Sequence, residues 1–477
     1  MLFSRHFGLE YSQAELDFVD IELVQDQALF VDPYALQVRA DHWSVECTQT
    51  IRLYFQRLID AIRADDDALA LRLLSPLHEP RETRLGLSQA HFRGNAIGAD
   101  LAGEVLAALN ASRAVRTGFL RDLADAELFI PGIGHDRISD LTTSLIRRQL
   151  IEYTQQQCGF HGIPLVGTVA SGPIWDIELQ EWTGEHVALP VADGEKILLV
   201  PKMAVRWSTL LTPGDYYNNF VLNFLQAQEL AHPALGLVKT LQNRRRVVTK
   251  KSLKERFPGT KDFLLQFSEQ NPGVLEDYKR LKAQPEPTAT WDAPEAFDES
   301  AFAGVLIGRL EAIPAGSEAA TQYHRFMKGA LEFLFYPGLS HPRIETEINE
   351  GRKRIDIVFL NSDRSGFFNR FPNVTRRPAP EIIVECKNYS RDLGNPEVDQ
   401  IAGRFADHRG WLGLLICRRN EAPEQLLARC RDTARERRGY ILPLDDAAII
   451  GMLRLIETGH RDQVTGHLDL LLRELAL

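Results

Sequence analysis

The stretch IIVECKNYS, residues 382–390, runs three apolar residues into Glu385 and Lys387. Ile382, Ile383 and Val384 are β-branched, and such a run has the composition of a strand buried on both faces of a sheet. Side chains alternate along a strand, so Glu385 and Lys387 share a face with Ile383. An acid and an amine at the end of a buried strand are costly unless they meet partners there.

Working outward, the flanking sequence supplies more elements. A helical pattern over 302–336 leads to PRIETEINE (342–350) and RIDIVFL (354–360), two strand candidates. EIIVECK (381–387) follows as a third. A helix from Pro396 to His408, a strand at 411–417, a helix at 422–437, a strand at 439–444 and a helix from Asp445 complete the order αβββαβαβα. Alternation of this kind predicts an α/β domain, a mixed sheet with helices on both faces. Asp356, in RIDIVF, lies on the face opposite Ile355 and Ile357. If the strands flanking 361–380 pair as a hairpin, Asp356 stands beside Glu385. Two neighbouring carboxylates repel unless a cation neutralises them, and hard oxygen ligands suit Mg²⁺ or Mn²⁺.

The pair of motifs, ID followed after 28 residues by ECK, resembles the PD-(D/E)xK nuclease superfamily, which includes restriction endonucleases. The resemblance covers roughly residues 302–450, and Ile355 stands where the family name has proline. It implies a restriction-endonuclease-like αβββαβ core in which Asp356 and Glu385 ligate Mg²⁺ or Mn²⁺, helped by the backbone carbonyl of Cys386. It further implies that Lys387 orients or deprotonates the attacking water or holds the scissile phosphate. The family often adds a glutamate from the first helix, for which Glu332 is the candidate; its plainer role is an i,i+4 pair with Lys328. Gln400 and Arg404 lie one turn apart and can both face the site, the second reaching a phosphate or instead pairing with Asp407 or Glu397. Segment 361–380 reads as an exposed hairpin extension whose Arg364, Arg370, Arg376 and Arg377 alternate with Phe367, Phe368 and Phe371. Such a mixture can grip nucleic acid or cover a partner surface. Arg354 is a further phosphate candidate.

The chain of 477 residues exceeds what one hydrophobic core usually serves. Segment 283–300 carries three prolines, several acids and no apolar period, the composition of a linker. The expected division is a helix-rich α+β domain at 1–285, a linker at 286–300 and the nuclease-like domain at 301–477. In the first domain, residues 18–32 read as a hairpin turning at Gln25-Asp26-Gln27. Helices are expected at 97–111, 136–157, 216–231 and 260–282, and strands at 163–170 and 195–201. His135, Asp136 and Asp140 can form a small cluster or simply cap a helix, with Ser139 or Asp136 as the cap. The basic run at 243–261 can steer a polyanion or be a solvated face.

A formal charge of −10 argues against indiscriminate coating of nucleic acid. Residues 341–440, however, hold 19 basic against 15 acidic residues, so any polyanion site belongs there. The five scattered cysteines lack a CxxC pair, and no segment is apolar enough to span a membrane. A cytoplasmic protein is expected. The resemblance makes DNA the expected substrate, with RNA open, and a role in bacterial restriction or antiphage defence. A non-cleaving nucleic-acid-binding or assembly module with the nuclease fold is the alternative. Cutting both strands at once needs paired sites, so a homo-oligomer, at least a dimer, is expected.

Overall fold

Among the described residues the apolar patterns fold into two large hydrophobic cores, one built from residues between Phe3 and Tyr278 and the other from residues between Ala303 and Leu475, and a small third cluster of Ile151, Ile174, Leu189 and Leu198. The computed structural model describes all residues except 79, 87–96, 233–235, 241–245, 284–298, 349–352, 390 and 477. The expected linker thus lies largely outside the described residues. Among the described residues no helix is long and apolar enough to cross a membrane.

The second core is organised around one five-stranded sheet. Helices α1 (Glu299–Ala312) and α2 (Ala320–Phe335) replace the single helix expected over 302–336. Pro314 and Gly316 fall in the break between them, where an interior proline would cost a helix a hydrogen bond. Strands β1 (Leu339–Ile348) and β2 (Lys353–Asn361) then form an antiparallel pair. After helix α3 (Phe367–Thr375), strand β3 (Glu381–Lys387) returns antiparallel to β2. Helix α4 (Asn395–Ala402) crosses to β4 (Leu412–Cys417), and α5 (Pro423–Arg435) to β5 (Tyr440–Asp445), which both run parallel to β3. Helix α6 (Asp446–Glu457) packs on α1. The spatial order is β1-β2-β3-β4-β5.

Every residue of β4, and all of β3 after Glu381, is buried. Central strands covered by helices on both faces lose their polar alternation, which is why both read as continuous apolar runs. Glycine is required at Gly413 because α4 lies directly on β4. A Cβ there would come within 2.7 Å of Ile401 and 3.1 Å of the Phe405 ring.

Segment 361–380 is not the exposed extension expected from its arginines. Phe367, Phe368 and Phe371 are each at most 1% exposed and belong to the core, held by the amphipathic helix α3. Burying three rings outweighs leaving them at the surface, at roughly 1.5–3 kcal/mol for each large apolar side chain.

The first core is helix-rich, with a helix at His42–Arg63 as its longest described element. The hairpin expected over 18–32 does not form. Phe30–Val31 instead pairs with Val205–Arg206, and Phe18 bridges to Pro201. The helix expected at 97–111 is present. That at 136–157 is two helices, His135–Leu145 and Arg147–His161, and that at 260–282 divides before Pro272. The region expected as a helix at 216–231 includes a π-helical turn at Tyr217–Val221 before Leu222–Ala231. Of the expected strands, Val166–Ala170 and Glu195–Lys196 are found, the second much shorter than 195–201. Ser139 does not cap its helix; it sits inside it, and its hydroxyl accepts the Val31 amide at 2.9 Å.

The two cores meet through polar side chains. Asp17 accepts the His341 amide at 3.0 Å, Lys328 donates to the Glu15 carbonyl at 3.0 Å, and Arg309 pairs with the Glu15 carboxylate at 2.9 Å.

Candidate active site at the end of the third strand

The antiparallel ladder pairs Ile357 with Val384, Val358 with Ile383 and Phe359 with Ile382. Cross-strand partners share a face, so one step further along this register Asp356 comes opposite Glu385 and on its side of the sheet. There the Asp356 side chain takes over from the ladder: its Oδ2 accepts the Cys386 amide at 2.9 Å. Asp356 is half-buried and Glu385 wholly buried.

Three cationic or amide groups gather on Glu385. Lys387 Nζ lies 3.2 Å from Oε2, Gln400 Nε2 donates to the same oxygen at 3.3 Å, and the Arg404 guanidinium pairs with Oε1. The Lys387 and Arg404 side chains are 10% and 7% exposed. Burial lowers the Arg404 pKa, and the nearby Asp356 charge opposes that shift. Two acids thus face two bases in a largely dry pocket, a balanced set whose members each lose heavily if a partner is removed. Helix α4 ends at Ala402, so Arg404 reaches the site from the turn beyond it rather than from the helix face.

Both main-chain groups of Cys386 are held by side chains. Its amide goes to Asp356, and its carbonyl lies 2.9 Å from His324 Nε2 on α2. A carbonyl oxygen has two lone pairs, so this contact leaves one for a cation. His324 was not singled out in the sequence, where a lone histidine on an amphipathic helix carries no signature. Asn388, 3% exposed, fixes the strand end by donating to the carbonyls of Pro314 at 3.1 Å and Gly316 at 2.7 Å.

Glu332 does not join this group. It lies eight residues beyond His324, about 12 Å along the helix at 1.5 Å per residue. It is fully buried against the first core, with Lys202 Nζ at 4.0 Å, and burial together with the Asp17 charge pushes its carboxyl up to about 8. The nearby Lys328 opposes that shift, the helical neighbour the sequence suggested. Arg377 is also elsewhere. Its guanidinium lies 4.6 Å from the centroid of Trp411, just before β4, whereas Lys387 is in register with Cys417 at the other end of that strand. Arg376 is exposed and left-handed at the end of α3, and Arg370 pairs with Asp469. The Arg354 side chain lies outside the described residues.

The donors that can hold a divalent cation are therefore Asp356, Glu385 and the Cys386 carbonyl. Among the described residues no three His, Cys, Asp or Glu side chains form a metal-binding group. Two carboxylates and a carbonyl suit Mg²⁺, which keeps several of its own waters, better than a cation needing a full protein cage.

In the first domain, His135 Nδ1 lies 3.9 Å from Glu127, and its ring packs edge-on against Phe30. Of the basic run, Arg244 lies outside the described residues, while Lys251, Lys254 and Arg256 are exposed on the helix Lys250–Arg256.

A domain of unknown function, DUF8370, matches residues 8–212. The chain is 28% identical over 125 residues to the putative transposon gamma-delta 80.3 kDa protein of Escherichia coli (strain K12). That match takes in 25% of this chain and only 17% of the length of its relative. No solved structure matches the chain.

Proposed function

We propose that the C-terminal domain is a Mg²⁺- or Mn²⁺-dependent phosphodiester hydrolase of the PD-(D/E)xK type acting on DNA. The observation that carries this reading is the register that sets Asp356 and Glu385 side by side on one face of the sheet, with Lys387 following on the same face. The strand order, with β2 antiparallel to its neighbours and two parallel crossovers after it, agrees with the core that the resemblance implies.

In this reading Asp356, Glu385 and the Cys386 carbonyl hold the cation. When bound, such an ion polarises a phosphoryl oxygen and lowers the pKa of water. Lys387 orients the attacking water, and Gln400 keeps the Glu385 carboxylate in place through Oε2. Arg404, resting on Glu385, is the group positioned to turn to the scissile phosphate, since a planar guanidinium exchanges a carboxylate for a phosphate with little change of geometry. His324 acts through the Cys386 carbonyl and is a positioning residue. The first domain supplies recognition, regulation or self-association, and a dimer would permit cleavage of both strands. A restriction or antiphage role follows from the family resemblance alone.

One observation favours a second reading. Glu385 is already neutralised by Lys387 and Arg404, as it would be in a non-cleaving nucleic-acid-binding or assembly module. Incubating the purified chain with plasmid DNA, single-stranded DNA and RNA in Mg²⁺, Mn²⁺ or EDTA separates the two, alongside Mn²⁺ titration followed by electron paramagnetic resonance. The hydrolase requires cation-dependent cleavage lost in Lys387→Met, and Mn²⁺ binding lost in Asp356→Asn but retained in Lys387→Met. Nucleic acid bound without cleavage and no Mn²⁺ uptake would select the second reading.

A further inference from the structure

A cavity of about 500 Å³ lies where the two cores meet, between residues 203–212 of the first and the turns 336–338 and 362–366 of the second. Three arginines from distant parts of the chain line it: Arg39, Arg206 and Arg364. The Arg39 side chain is 6% exposed. Its Nε donates to Asp41 at 3.0 Å, while its Nη2 is buried with no hydrogen-bond partner among the described residues. Arg206 spends Nη1 on the carbonyls of Met203 and Val205, at 3.3 and 2.8 Å, and its Nε is likewise buried without a partner. Arg364 donates to the Ala283 carbonyl.

Carbonyl contacts satisfy guanidinium N–H groups but do not cancel their charge. Among the described residues neither Arg206 nor Arg364 forms an ion pair with a carboxylate. The acids nearby leave Arg206 and Arg364 without a counter-charge, although Arg39 has one. Asp41 holds Arg39, and Asp215 holds Lys282 at 2.8 Å. Asp363 accepts the amides of Gly366 at 2.7 Å and Phe368 at 2.9 Å. Asp32, near Arg206, accepts the amides of Tyr34 and Leu210, and burial raises its pKa. Burial, with the charges of Arg39 and Arg206, also lowers the pKa of Arg364, so the three guanidinium groups feel one another. Crowded like charges disfavour one another, and an anion placed among them relieves that cost. Trp207, 52% exposed, also lines this cavity and offers a flat indole beside the cations.

We propose that this interdomain cavity is a binding site for a small phosphorylated ligand carrying a planar ring, a nucleoside phosphate, with Arg39, Arg206 and Arg364 on the phosphate and Trp207 against the ring. Guanidinium forks match phosphate oxygens in pairs, and the volume lies in the range of small-ligand pockets. The site is separate from Asp356 and Glu385 and does not rest on the hydrolase reading. Because its arginines come from both cores, a ligand there joins them.

The test uses the full chain, with tryptophan fluorescence and thermal unfolding followed during titration with AMP, ATP, adenosine and inorganic phosphate. AMP or ATP is expected to quench fluorescence and raise the melting temperature, with adenosine and phosphate each binding at least tenfold more weakly. Arg364→Gln is expected to weaken nucleotide binding at least tenfold, and Trp207→Ala, at an exposed position, to remove the quench and weaken binding. Asp356→Asn is expected to bind as the unaltered chain does, which separates this site from the candidate active site. The proposal is overturned if neither nucleotide binds at millimolar concentration, if phosphate alone binds as tightly as AMP, or if binding survives both Arg364→Gln and Trp207→Ala unchanged.

Discussion

Glu385→Gln tests the electrostatic logic of the candidate site most directly. The substitution keeps the shape of the side chain and removes one negative charge from a position with no solvent exposure. Lys387 and Arg404, 10% and 7% exposed, then share the single carboxylate of Asp356. Removing one partner of a buried ion pair costs about 3–5 kcal/mol, because the charge left behind stays desolvated. For a domain of this size about 1 kcal/mol moves the melting temperature by roughly 2–4 °C, so a fall of roughly 6–20 °C is expected for the C-terminal transition. Calorimetry of the full chain measures it, since two cores need not unfold in one step. A cycle with Arg404→Met supplies the control: the double variant should recover part of the loss, as no unpaired guanidinium remains. A stability change under about 1 kcal/mol, or a more stable Glu385→Gln, would show that Glu385 is not the counter-ion that holds Lys387 and Arg404 in place.

Two further outcomes follow from other parts of the fold. Glu332 has a folded pKa of about 8 against an ordinary 4.5, so its contribution to stability is fully present below pH 4.5 and lost as pH rises through 8. Glu332→Gln should therefore flatten stability over that window in urea titrations at several pH values, and a slope equal to that of the unaltered chain would refute the assignment. Phe371→Ala should destabilise the C-terminal core by about 3–5 kcal/mol, as truncation of a fully buried ring does, whereas an exposed extension would register less than about 0.5 kcal/mol in the same denaturation measurement.

How much was legible in the sequence differs from one residue to the next. Glu385 and Lys387 could be placed on one face because side-chain alternation is a property of any strand, and Asp356 joined them because its strand carries the same period. Gln400 and Arg404 were within reach because they sit on, and just past, a crossover helix that a proline and an apolar period announce. Glu332 misled because an acid in an apolar helix face looks alike whichever neighbour it faces. Its surroundings, Asp17 and Lys202, come from segments more than a hundred residues earlier. The phenylalanines of α3 misled in the opposite direction, since interleaved arginines hid an amphipathic face.

By itself the sequence determined the strands of the C-terminal sheet, their faces and the acid and amine at the end of β3, because these depend on periodicities that neighbouring residues impose on one another. Only the tertiary structure decided that His324 meets the Cys386 carbonyl, that Glu332 belongs to the contact between cores, and that Arg39, Arg206 and Arg364 converge on one cavity. Those meetings depend on how helices rotate and loops return when two cores pack together, a long-range burial of surface that no local pattern encodes.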